Sequence, residues 1–162
     1  MLRSGEKDET CLKSIKRRML DNYYQKCYSE INNSSKHKSY TLFKHAFNRE
    51  QYWDFIKDPY LKYSLAKFRT CAHELAIETG RYTNTPQNER LCRSRNINLV
   101  ESEYPFLLVC PKYRELRTTF FKPYYRCCPS LNKFASLICS YNNKTIYNIF
   151  KFIYFANQIR IS

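Results

Sequence analysis

A mainly α chain, a single-domain helical bundle with a short irregular knuckle between two of its helices, is the fold class that three features predict. Apolar residues recur at three- and four-residue spacing along most of the chain, only two of the 162 residues are glycine, and one stretch, residues 89–117, interrupts the helical period with cysteine, proline and arginine. The 43% of apolar residues suffices for one core, and two domains would be hard to fit in this length. The expected organisation is a loose N-terminus at 1–8, N-terminal helices over 9–57, a helix plus the knuckle region over 58–125 and a closing helical pair over 126–162, with 9–162 forming one compact domain.

Taken in order, residues 1–8 are polar. From about residue 9, Leu12, Ile15, Met19, Tyr23, Cys27 and Ile31 follow the helical period, and Lys13, Lys16, Arg17, Arg18 and Lys26 ride on the same helix. Residues 32–39 lack apolar side chains and read as a loop. Two short helices are expected over 40–47 and 49–57, turning Leu42, Phe43, Phe47, Tyr52, Trp53 and Ile56 inward. Asp58-Pro59 marks a boundary, because a residue before proline is pushed out of the helical region while proline suits a first turn. One helix is then expected over 60–79. Leu61, Leu65, Phe68, Ala72, Leu75 and Ala76 fall in one stripe, and Gly80 stands where a left-handed residue would end it. Lys62, Arg69 and His73, spaced by seven and four, would line the edge of that stripe as a cationic ridge.

After a polar loop at 81–90, Ser102 suits an N-cap, with Glu103 in the first turn and Pro105 near its end. Phe106, Leu107 and Val109 make the segment apolar without help, and Pro111 ends it. A further amphipathic helix over 113–122 turns Leu116 and Phe120 inward and Arg114, Arg117 and Lys122 outward. Residues 123–129 connect to helices over 130–140 and 144–161, where Leu131, Phe134, Leu137, Ile138, Ile146, Ile149, Phe150 and Ile153 would face each other.

Charge narrows the function. Lys plus Arg number 28 against 14 Asp plus Glu, for a net charge of +14 spread along the chain. Such a surplus calls for a polyanion, with nucleic acid preferred to anionic lipid. Aromatic residues reach 17%, including 15 Tyr and 11 Phe. Most belong to the core or to amphipathic surface positions, but exposed rings beside Lys and Arg would also suit stacking on unpaired bases. Eight cysteines without an apolar leader at the N-terminus read as reduced thiols of an intracellular protein, cytoplasmic or nuclear and not secreted. The apolar run at 146–156 is broken by Asn148 and Lys151 and is far short of the roughly 20 residues a membrane span needs.

The stretch at 89–117 has the outline of a zinc knuckle, in which a Cys-x2-Cys turn is followed by a His-x4-Cys helix. Cys92 and Cys110 occupy the first and last ligand positions, but Arg95 and Pro105 stand at the inner two. Neither has a donor atom that can replace a thiolate or an imidazole. Around this outline, Lys67-Phe-Arg-Thr-Cys-Ala-His73-Glu-Leu-Ala-Ile-Glu-Thr-Gly80-Arg81, Glu89-Arg90-Leu-Cys92, Glu101-Ser-Glu103-Tyr104 and Phe106-Leu-Leu-Val-Cys110-Pro111-Lys-Tyr113-Arg-Glu-Leu-Arg117 resemble the C-terminal segment of non-LTR retrotransposon polyproteins, beyond the reverse transcriptase domain. The likeness is most specific over about residues 61–125. It implies helices around a zinc knuckle and a part in holding nucleic acid during target-primed reverse transcription. With the inner ligand positions changed, zinc is not expected here, and no cofactor is.

Catalysis is not expected. Polymerases and nucleases cluster carboxylates around two metal ions, whereas the aspartates, at positions 8, 21, 54 and 58, are isolated. Gly5 and Gly80 alone cannot build a phosphate loop. On one helix, His73 would point away from Cys71 with nothing to orient its ring. A mixed metal site, joining Cys71 and His73 or Cys127 and Cys128 to Cys92 and Cys110, is the alternative to no metal at all. The expected function is thus non-catalytic binding of RNA or DNA through phosphate contacts at Lys62, Arg69, His73, Arg81, Arg90, Arg114 and Arg117, with no membrane and no small-molecule substrate. The alternative is a helical protein-interaction module, or a decayed reading frame without activity.

Overall fold

The computed structural model describes residues 4–34, 36, 40–42, 49, 50, 52–92 and 98–161. Eight α-helices are found among them: α1 (Ser4–Asn33), α2 (Tyr52–Phe55), α3 (Pro59–Arg69), α4 (Ala76–Tyr82), α5 (Arg114–Phe120), α6 (Pro123–Arg126), α7 (Leu131–Ile138) and α8 (Asn143–Ile161). The mainly α expectation holds. The expected inward positions Phe43 and Phe47, and Arg95 of the knuckle, lie outside the described residues.

α8 is the centre of the core. Ile149, Phe150, Phe152, Ile153 and Ala156 are buried along it, and α2, α3, α5 and α7 all pack against it. α3 contributes Leu61, Leu65 and Phe68, and α7 contributes Phe134, Leu137 and Ile138, each set at the three- and four-residue spacing that makes one face of a helix. Asp58 starts α3 by accepting from the backbone N–H of Tyr60 at 2.8 Å, with Pro59 in the first turn. Ser130 caps α7 through the backbone N–H of Lys133 at 3.3 Å. Trp53, Leu42 and Leu131, expected inward, are exposed instead. No described helix is long and apolar enough to cross a membrane.

α1 begins earlier than its sequence suggests, at Ser4, so residues 4–8 are helical where a loose segment was expected. The apolar stripe is also less covered than its period implies, for Leu12, Ile15, Met19 and Tyr23 are all exposed.

The single helix expected over 60–79 is two. α3 stops at Arg69, where Ala72 N–H donates to Lys67 O at 2.8 Å and Cys71 N–H to Phe68 O at 3.3 Å. That pair of bonds is a Schellman closure, and the left-handed residue it requires is Cys71, at φ 52°. Ala72, expected in the buried stripe, is therefore exposed. Gly80 does not end a helix either, since it lies inside α4 and its φ is not positive. The reason for glycine there is proximity: a Cβ would meet the Arg90 side chain at 2.6 Å. Arg90 needs that space because its guanidinium crosses α4 to donate to Thr85 O at 2.9 Å and Ile77 O at 2.8 Å.

The knuckle outline is a narrow antiparallel bridge, Leu91 to Val100, followed by a single turn of π-helix at Pro105–Val109. Ser102 contributes its carbonyl, which accepts from Phe106 N–H at 3.0 Å. In the wider turn Cys110 N–H reaches Pro105 O at 2.8 Å. Pro105, Phe106, Leu107 and Leu108 are all buried, so the turn is held by apolar burial.

Candidate functional site

Of the seven basic positions singled out in the sequence, Arg117 is buried and five others are only partly exposed. α3 ends before His73, so Lys62, Arg69 and His73 form no helical ridge. Lys62 Nζ donates to Trp53 O at 3.0 Å and lies 5.1 Å from the centre of its indole. Arg69 pairs with Glu50 at 2.7 Å and sits over the Tyr52 ring. Arg81 pairs with Glu78 at 3.1 Å, and Arg90 is half-buried in its bridge between backbone carbonyls. Arg117, expected outward, is buried and donates to Cys110 O, and burial lowers its pKa. Of the seven, Arg114 is exposed. Amphipathic spacing cannot tell an arginine at the rim of a buried face from one beyond it.

Cys92 Sγ and Cys110 Sγ lie 3.8 Å apart. Two thiolates on one tetrahedral zinc, each at about 2.3 Å, would be about as far from each other. Pro105 supplies no donor, however, and no third metal-ligating side chain joins this pair among the described residues. The residues present do not fit a four-ligand zinc knuckle.

The mixed site drawing Cys71 and His73 to the knuckle cysteines does not form. Instead, the left-handed turn at Cys71 carries it and His73 to Glu103. Cys71 Sγ donates to Glu103 Oε1 at 3.5 Å, and His73 Nε2 lies 3.1 Å from the same oxygen. All three side chains are withdrawn from solvent, with 6% of His73 and 8% of Glu103 exposed. So His73 does not point away from Cys71, and a carboxylate does orient its ring. Burial, then the charge and hydrogen bond of Glu103, then the charge of Glu78 push the Cys71 thiol up to about 12. The sequence gives little sign of this cluster, since Glu103 is 30 residues from His73 and belongs to no metal motif.

Two more acids are buried, Glu78 and Glu101. Glu101 accepts from Ala76 N–H at 2.7 Å and binds the Arg160 guanidinium, and Glu78 is held by Arg81. Tyr113, buried nearby, has its hydroxyl pushed up from about 10 to about 12, first by burial and then by the charges of Cys110 and Glu101, against an opposing effect of Arg160. A folded-state pKa above the unfolded one favours the neutral phenol. This contribution is complete below about pH 10 and is lost as pH rises through 12. Chemical denaturation at pH 9 and pH 11.5 should show a loss of about 1–2 kcal/mol more in the native chain than in Tyr113→Phe. Equal losses in both would show that Tyr113 does not set the alkaline limit.

The chain matches no family model, no curated protein and no solved structure.

Proposed function

We propose that this chain is a non-catalytic nucleic-acid-binding module that takes single-stranded RNA or DNA on aromatic rings flanked by lysines. Its resemblance to the C-terminal segment of non-LTR retrotransposon reverse transcriptases suggests the same role. One observation carries the reading. Among the described residues, four exposed aromatic rings each have a lysine ammonium over them: Trp53 with Lys62 at 5.1 Å, Tyr63 with Lys67 at 4.8 Å, Tyr124 with Lys133 at 4.8 Å and Tyr147 with Lys151 at 4.7 Å. A ring that offers a π-face beside a cation suits a base and its phosphate together. On α3 the pattern is concentrated, because exposed Tyr60 and Tyr63 and half-buried Lys67 share the helix face opposite Leu61, Leu65 and Phe68. Exposed Lys13, Lys16, Arg17 and Arg18 on α1 add long-range attraction.

The test is fluorescence anisotropy with labelled single-stranded RNA and DNA over a salt series. The log of the binding constant should fall against log salt with a slope of about −3 or steeper, as counterions leave the phosphates. The double variant Tyr60→Ala/Tyr63→Ala should bind about tenfold or more weakly, since each stacked base contributes roughly 1–3 kcal/mol. A flat salt dependence, or native affinity in the double variant, would refute the reading. The exposed apolar stripe of α1 favours a second reading, a helical protein-interaction module. Self-association in analytical ultracentrifugation without nucleic-acid binding would support that one.

A further inference from the structure

We propose that Cys71, His73 and Glu103 form a binding site for one zinc-type divalent cation, separate from the knuckle positions Cys92 and Cys110. The sequence directs attention to the knuckle, where the donors run out. The fold assembles a sulfur, a nitrogen and an oxygen elsewhere, with all three donor atoms within 4.8 Å of one another.

The two separations to the carboxylate oxygen are close to those one ion would set. With bonds of about 2.3 Å to sulfur and about 2.0 Å to nitrogen and oxygen, tetrahedral angles separate sulfur from oxygen by about 3.5 Å and nitrogen from oxygen by about 3.3 Å. The structure has 3.5 Å from Cys71 Sγ to Glu103 Oε1 and 3.1 Å from His73 Nε2 to the same oxygen. Both separations to the shared oxygen lie within a few tenths of an ångström of those values. The backbone is already fixed on both sides, by the closure from Ala72 N–H to Lys67 O at 2.8 Å and by the bond from Phe106 N–H to Ser102 O at 3.0 Å.

A second observation lies beside the cluster. Glu78, with 4% of its side chain exposed, has Oε2 buried and without a partner among the described residues, and His73 Nδ1 is in the same state. A divalent cation here would place positive charge among buried carboxylates. Cys71 releases its proton to solvent as the metal–sulfur bond forms, and the ion's charge is then met by the thiolate and Glu103. A mixed sulfur, nitrogen and oxygen set suits zinc, whereas magnesium and calcium take all-oxygen shells. Three protein donors leave the fourth position to water or to another ligand.

The experiment is a titration of the full chain, dialysed against chelator, with Co²⁺ and then Zn²⁺. One Co²⁺ per chain is expected, with a thiolate-to-cobalt charge-transfer band that Zn²⁺ displaces. Cys71→Ser should lose the band and bind Co²⁺ about a hundredfold more weakly or worse, and Glu103→Gln should bind it more weakly than the native chain. Serine retains the hydrogen bond to Glu103, so circular dichroism of Cys71→Ser should match the native chain. Cys92→Ser should keep the band. The absence of a band at one equivalent of Co²⁺ would overturn the proposal, as would a band that survives in Cys71→Ser and vanishes in Cys92→Ser.

Discussion

Glu101→Ala is expected to destabilise the fold by about 3–5 kcal/mol, the cost of removing one partner from a buried ion pair. The residue is 4% exposed and joins three parts of the chain. Its carboxylate binds Arg160 near the end of α8 and accepts from Ala76 N–H at 2.7 Å, while its own N–H and C=O hold Arg90 O at 2.8 Å and Ile77 N–H at 3.0 Å. α4 depends on this carboxylate because Leu75 stands at its N-cap position without a side-chain cap bond. Leu75 is 2% exposed and serves the core, so an acid 25 residues away takes the place of the missing cap. Glu101→Gln should lose less, since an amide oxygen still accepts from Ala76 but leaves the Arg160 charge unmatched. Urea denaturation decides the point, and a loss below about 1 kcal/mol in Glu101→Ala would mean that Arg160 finds an equal partner in Glu74 O, to which it already donates at 2.6 Å.

This dependence on distant partners explains which parts of the fold the sequence made legible. α7 and α8 could be read because their own residues decide them: Phe134, Leu137 and Ile138, and Ile149, Phe150 and Ile153, carry a helical period that burial respects. Asp58-Pro59 starts α3 for equally local reasons. The break after Arg69 has no such signal, because neither glycine nor proline marks it and a cysteine takes the left-handed position. A non-glycine residue there costs roughly 1 kcal/mol, which local propensity counts against the turn. Only Glu103, reached by both Cys71 and His73, makes the turn intelligible. The same holds for Gly80, whose explanation is the Arg90 side chain, and for Arg117, whose partner is a carbonyl in the knuckle segment. The nearness of Cys92 and Cys110, at 3.8 Å, likewise depends on the chain between them and was not read from their spacing.

Phe152→Ala should be as costly as the loss of Glu101, at about 3–5 kcal/mol. Phe152 is fully buried and stacks on Phe121 with centroids 4.7 Å apart. It also meets Phe106 edge-on at 5.9 Å and Tyr113 at 6.2 Å, so it ties the π-turn of the knuckle segment and the start of α5 to α8. In a zinc knuckle the metal supplies this connection, and binding energy becomes folding energy. Here the aromatic cluster makes such a connection through burial. Cys92→Ser, at a half-buried position, should therefore cost only about 1 kcal/mol, far less than Phe152→Ala. The reverse order would locate the strength of the segment in its two thiols. A bound ion or a covalent link between Cys92 and Cys110 would then have to replace aromatic burial as the explanation.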